Sequence, residues 1–284
     1  NVGGLQKEPT NRRQTGSTLR WKPDMEVFTD IAVPAEYFTD MLRRQAVVNA
    51  GVHFIFHDET SGKRVTTEYY YENGIRDYVE EVAALEYMTP VVYCEGTATG
   101  RDREDQPDYK VKMSAAFCFS NKHQLLEYYH NSSWLEHGGS PEKAMRSALV
   151  SAVDAYLRQN SKYQKNESKI TFNDIQDCLV LVSNNFSTQT SYENQTKKAI
   201  NNTFICDALN DYMRRQLEIY FTENPKAAEL FGNQVLINKH SRESAERARV
   251  DVKKKLAGSI DAANRVEKFV NCRSKDPNVA ELYI

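Results

Sequence analysis

Cross-links and close metal-ligand spacings are missing from this chain. Its five cysteines stand far apart, at Cys94, Cys118, Cys178, Cys206 and Cys272. The count is odd, and no pair has the spacing of a zinc or redox motif. They read as reduced thiols of a cytoplasmic protein. Long apolar runs are missing too: none approaches the roughly 20 residues that cross a bilayer, and no signal peptide heads the chain. Charge of one sign is not in excess. The 37 basic and 39 acidic side chains leave −2, so no global field draws in nucleic acid or membrane, although a local basic surface is not excluded. Walker, G-x-G-x-x-G, G-x-S-x-G and H-E-x-x-H motifs are all absent. The 284 residues suffice for one large or two ordinary domains with a real core. The chain opens on Asn1 and closes on the apolar "NVAELYI", and it reads as a piece of a longer protein.

What is present is a mixed α/β pattern. Residues 18–33 alternate and predict extended chain. Pro34 suits a helix start, and Phe38, Met41, Leu42 and Val48 form a helical stripe that stops at Gly51. "VHFIFHD" and "KRVTTEYYYE" predict a hairpin, and "IRDYVEEVAALEY" a helix after Asn73-Gly74. A new organisation starts near Thr89, with strands "PVVYCEGTAT" and "YKVKMSAAFCFS" around a polar loop at 100–107. A long loop is expected over 121–140, then a helix capped by Ser140 with Pro141 first and a stripe of Met145, Leu149, Ala152 and Tyr156. "DCLVLVSNNF" predicts a buried strand. A helix is expected from Lys197 to about Thr222, and another from Lys226 to about Leu256 with Glu243–Arg247 and Asp251–Lys255 pairs. The narrow apolar stripe of the last helix suits an extended connector.

Few residues offer chemistry by themselves. His53 and His57 share a strand face without a ligand cluster. His123, His130 and His137 recur every seven residues in an expected loop, an arrangement that favours surface or packing roles over a metal. "HGGSP", residues 137–141, fits an anion-binding turn or, more simply, a tight turn before a helix. "SYENQTKKAI", residues 191–200, puts Gln195, Thr196, Lys197 and Lys198 at the expected helix start, where the dipole disfavours lysine. A bound anion or plain solvent would relieve that conflict. A lysine can meet phosphate as a point charge and a glutamine amide can bond its oxygens, the kind of positioning that phosphoryl transfer needs.

Six segments carry more information together: "TGSTLRWKPDMEVFTDI", "LRRQAVVNAGVHFIFHDE", "YYYENGIRDYV", "HGGSPEKAMRSALVSAVDAYL", "NQTKKAI" and "CRSKDPNVAELYI". In this order and spacing the chain resembles the ATPase subunits of bacterial type IIA topoisomerases, the gyrase B and topoisomerase IV B family. The resemblance implies that residues 1–86 end a GHKL ATPase domain. Residues 87–258 would form a transducer with a left-handed β-α-β crossover and a long C-terminal helix, and 259–284 would lead into a Toprim domain. It implies an enzyme that couples ATP, with Mg2+, to DNA strand passage. In it Gln195 and Lys197 would reach the γ-phosphate, together with the helix dipole, and Ser17 would lie at the adenine pocket. Thr196 is expected to be structural. Implied partners are double-stranded DNA, a gyrase A-like cleavage subunit and a second copy of the chain, near the nucleoid. Arg146, Arg158, Arg214 and Arg215 are the DNA-contact candidates.

The sequence also departs from the family pattern. Ser140-Pro141 replaces the usual Thr-His, and the loop before it is long. The segments holding the catalytic glutamate, magnesium-binding asparagine and lid are not in the sequence, so hydrolysis by this chain alone is not expected. The alternative is a non-catalytic transducer module of a mismatch-repair or chaperone type.

Overall fold

The computed structural model describes residues 15–263 together with Gly4, Pro9, Asn11, Arg13, Asp276, Asn278 and Val279. Cys272 and most of the expected Toprim lead-in lie outside the described residues. Helix α1 (Ala35–Val48) follows Pro34, whose φ of −58° suits helix entry. It ends where the amide groups of Asn49 turn back onto the carbonyl of Gln45. The predicted hairpin forms from β1 (Phe54–Asp58) and β2 (Val65–Tyr69), paired antiparallel. Helix α2 (Ile75–Ala83) follows.

The expected extended stretch at 18–33 pairs with no strand. Alternation alone cannot hold a strand without a neighbour for its backbone groups. The segment is pinned instead by an Arg20–Glu59 ion pair of 2.8 Å, a turn on Asp24, and Trp21 against Phe38.

The rest is built on a five-stranded sheet of order β3-β4-β7-β5-β6. Its strands are β3 (Val92–Gly100), β4 (Tyr109–Phe119), β5 (Leu125–His130), β6 (Ser133–Trp134) and β7 (Leu179–Ser187). β5 and β7 run parallel, and the other neighbours run antiparallel. The crossover from β5 to β7 passes through α3 (Ser140–Gln159) and the short α4 (Phe172–Gln176).

Both faces of the sheet are covered. Val111, Met113, Ala115, Phe117, Leu179 and Leu181 pack under α3, α4, α5 (Thr203–Glu223) and the start of α6 (Pro225–Ala263). Ala116, Cys118, Val180, Val182 and Tyr129 pack under α2 and the last turn of α1. Two-sided burial is why β7 reads as an unbroken apolar run.

Three sequence expectations change here. The loop expected over 121–140 contains β5 and β6. Glu127 and His130 hide the strand pattern, yet Glu127 is bonded and His130 is bonded through Nε2, while its buried Nδ1 has no partner among the described residues. Glu127 accepts from Tyr129 Oη at 2.7 Å, and His130 Nε2 lies 3.1 and 2.9 Å from the Ser187 and Thr190 hydroxyls. Burial pushes the His130 imidazole down to about 4. Ser140 does not cap α3: it is the first helical residue, with Gly139 at the cap position. The helix expected from Lys197 begins six residues later, at Thr203.

Helix α6 is 39 residues long, and it is exposed from Ser244 to Lys254. Its base is clamped to the sheet domain. Phe231 stacks on Phe119 with 3.5 Å between ring centroids. The fully buried Lys239 reaches Glu167 at 2.6 Å, and Arg242 grips Asp174 with two bonds of 2.6 and 3.1 Å. Glu243 takes a bond from Ser168 rather than the expected Arg247. The Lys255 side chain of the other expected pair lies outside the described residues. No helix among the described residues is long and apolar enough to cross a membrane.

Candidate functional site

The segment between β7 and α5 is a small closed loop. Its legs are tied by a Tyr192–Ile200 antiparallel bridge, by Glu193 N to Ala199 O at 3.0 Å and by Asn201 N to Ser191 O at 2.9 Å. At the tip the Asn194 carboxamide oxygen accepts from both the amide and the hydroxyl of Thr196. Lys197 N closes a turn onto Asn194 O at 3.2 Å. Thr196 therefore shapes the tip, as its expected structural role requires.

The 198–200 leg docks on the "HGGSP" turn. His137 N donates to Lys198 O at 2.9 Å, and Ser140 N to Ile200 O at 2.8 Å. Gly139 pairs in parallel with Ile200 and has φ of +86°. A Cβ there would stand 2.2 Å from Ile200 O, so only glycine admits this approach. The glycine pair is thus a seat for the loop. Lys198 pairs with Glu136 at 2.5 Å and holds that carboxyl below its usual range.

Gln195 and Lys197 project from the seated tip and are exposed. Lys197 takes φ of +57°, a conformation that costs a non-glycine residue roughly 1 kcal/mol and gathers at functional sites. Its Nζ lies 5.5 Å from the Tyr192 ring centroid. Among the described residues it has no carboxylate partner, and Gln195 has no hydrogen bond. The structure thus brings these two together and leaves Ser17 apart, exposed in the 15–23 stretch and without a hydrogen bond among the described residues.

The anticipated joint action of Lys197 with a helix dipole does not hold. The N-terminus of α5 is already occupied by the carboxylate of Asp102, which accepts from Phe204 N at 2.9 Å. Asp102 also accepts from Asn202 Nδ2 at 2.8 Å and Tyr109 Oη at 3.0 Å. Burial would raise this carboxyl, but these hydrogen bonds outweigh it and hold it below the usual range. No sequence signal links Asp102 to Asn202, which are a hundred residues apart.

The histidines expected in one loop stand apart. His123 bonds Glu86, His130 is buried, and His137 serves through its backbone. His53 and His57 bond Glu68 and Thr66 on the hairpin face. Of the arginines, Arg146 pairs with Glu142 and covers the Phe172 ring, and Arg158 pairs with Asp154. Arg214 and Arg215 are exposed on α5, with no ion-pair partner among the described residues.

The donor set bounds what the site can hold. One ammonium and one carboxamide can meet a phosphate. Among the described residues no group of three or more His, Cys, Asp or Glu side chains could hold a metal ion. A nucleotide with its magnesium therefore does not fit these residues alone.

Comparison with known proteins agrees with the fold. The family described as DNA gyrase B matches residues 74–251. The DNA gyrase B protein of Mycoplasmoides gallisepticum is 25% identical over 290 residues, covering 99% of this chain and 44% of the relative. That of Metamycoplasma arthritidis is 29% identical, covering 96% and 42%. The chain thus spans about two fifths of the length of these relatives. Among solved structures, the 43K ATPase domain of Thermus thermophilus gyrase B superposes with a TM-score of 0.61 at 20% identity, over 80% of this chain and 59% of that one. The Francisella tularensis topoisomerase IV ATP-binding domain gives 0.57 at 20% identity, over 78% and 57%. The chain belongs to the DNA gyrase B family.

Proposed function

We propose that this chain works within the ATPase subunit of a type II DNA topoisomerase, where it couples ATP binding and hydrolysis to passage of a DNA duplex. Residues 1–86 act as the end of the ATPase domain, 87–258 as the transducer, and 259–284 as the lead-in to Toprim. The observation that carries this reading is the seated loop tip. Lys197 and Gln195 stand on a loop tied to two neighbouring segments, and among the described residues the Lys197 ammonium has no carboxylate partner and the Gln195 carboxamide no hydrogen bond. A terminal phosphate held by residues elsewhere in the subunit would meet the Lys197 ammonium and the Gln195 carboxamide. Lys197 neutralises charge as it develops on the γ-phosphoryl group during its transfer to water, with ADP leaving, and Gln195 hydrogen-bonds and orients that phosphoryl group. Ser17 contributes at the adenine end. Double-stranded DNA, a gyrase A-like cleavage subunit and a second copy of the chain complete the machine. The family match disfavours a mismatch-repair or chaperone module.

In the complete subunit, Lys197→Ala is expected to lower ATP turnover about a hundredfold or more while nucleotide affinity changes only a few-fold. Wild-type turnover in that variant would remove the basis for this reading.

A further inference from the structure

The tip that carries Gln195 and Lys197 is only as well placed as its base, and beside the backbone ties of that base stands one buried side chain. Asn202 is 3% exposed and uses every polar atom. Its Oδ1 accepts from the Ser191 amide at 2.7 Å, where the closed part of the loop begins beyond the end of β7 at Ser187. Its Nδ2 donates to Asp102 Oδ2 at 2.8 Å and to Tyr109 Oη at 3.2 Å. Asp102 comes from the β3–β4 connection and is itself fixed by Phe204 N and Tyr109 Oη.

Asn202 does not cap its own helix. The capping position is given up to Asp102, and the asparagine faces the loop instead. A hydrogen-bonded line thus runs from the β3–β4 hairpin, through the start of α5, to Ser191 at the base of the loop. The neighbouring Asn201 N to Ser191 O bond at 2.9 Å closes the same corner.

We propose that Asn202 and Asp102 are positioning residues that hold the Gln195–Lys197 tip in register for its phosphate contact. The inference rests on the reading of that tip given above. Placement errors near 1 Å cost large factors in rate, and a loop hinged at Ser191 moves most at its tip. Loss of the Asn202 carboxamide therefore acts on kcat, whereas KM, set by nucleotide held elsewhere, stays nearly constant.

The test is steady-state ATP hydrolysis by the complete subunit with its cleavage partner, for Asn202→Ala, Lys197→Ala and the paired exchange Asp102→Asn with Asn202→Asp. The exchange keeps a carboxylate facing an amide and an acceptor facing Ser191. Asn202→Ala is expected to lower kcat ten- to hundredfold with KM within about twofold, and the exchange to recover most of the loss. Full turnover in Asn202→Ala beside a dead Lys197→Ala overturns the positioning role and leaves the tip's role standing. If Lys197→Ala also turns over normally, the tip reading fails. Hydrogen exchange at the Ser191 and Asn201 amides of Asn202→Ala then decides the positioning claim alone, with acceleration of tenfold or more supporting it and no change overturning it. Should Asn202→Ala fail to fold, the paired exchange is the deciding variant, and a kcat like that of Lys197→Ala in the folded exchange overturns the proposal.

Discussion

Lys197 and Gly139 hold the two unusual backbone conformations on which the loop depends. Lys197 makes a left-handed turn at the tip, and the left-handed Gly139 lets Ile200 lie against the helix start. Gly139→Ala meets both a strained φ and a backbone clash. It is expected to cost about 2–4 kcal/mol in urea unfolding, and it should also free the 198–200 leg. An unchanged midpoint would show that the seat is looser than its geometry. Gln195 and Lys197 stand out in the sequence as candidates through family-like spacing. Asp102 and Asn202 do not, because their meeting is made by the tertiary fold across a hundred residues. The lysine-against-dipole puzzle came from placing a helix start six residues early. The exposed "NQTKK" run has good helix formers, but its side chains and the Ile200 pairing favour a turn instead.

Among the elements, the base of α6 carries the sharpest electrostatics. Burial would push Glu167 up, but bonds from Lys239, the Gln164 amide and His240 outweigh it and bring it down to about 2. The folded value is depressed, so the stabilisation is fully present above about pH 4.5 and is lost as pH falls toward 2. Acid unfolding followed by circular dichroism should show this loss, and Glu167→Gln should flatten the curve over that window. Glu167→Ala strands the buried Lys239 and is expected to cost about 3–5 kcal/mol, much of it restored by adding Lys239→Met. An additive double variant would mean the two groups do not interact. Of these elements the long connector and its exposed 244–254 stretch are readable from a sparse apolar stripe. The clamp is not, since Glu167 lies in a polar stretch that reads as plain loop. β5 is hidden in the sequence for a related reason: Glu127 bonds Tyr78 on α2 and Tyr129 within β5, and His130 Nε2 bonds Ser187 and Thr190, partners that no local pattern reveals.

Across the whole molecule the sheet is a plate between two helical layers, with the loop at one margin and α6 leaving it as an arm. Charge on this body is nearly balanced, so DNA binding by the chain is expected to be weak and strongly salt-dependent. Of the four candidate arginines, Arg214 and Arg215 are free to meet phosphate, whereas Arg146 and Arg158 are held in ion pairs. Replacing Arg214 and Arg215 by alanine should reduce the slope of log affinity against log salt by up to about 2. An unchanged slope would place the DNA path elsewhere.

The γ-phosphate contact itself is tested most directly by hydrogen exchange on residues 193–198 in the complete subunit, with a non-hydrolysable ATP analogue against ADP. Amide exchange in that tip is expected to slow with the triphosphate and to stay near the nucleotide-free rate with the diphosphate. Equal protection by both nucleotides, or protection by neither, would contradict a tip that reads the terminal phosphate.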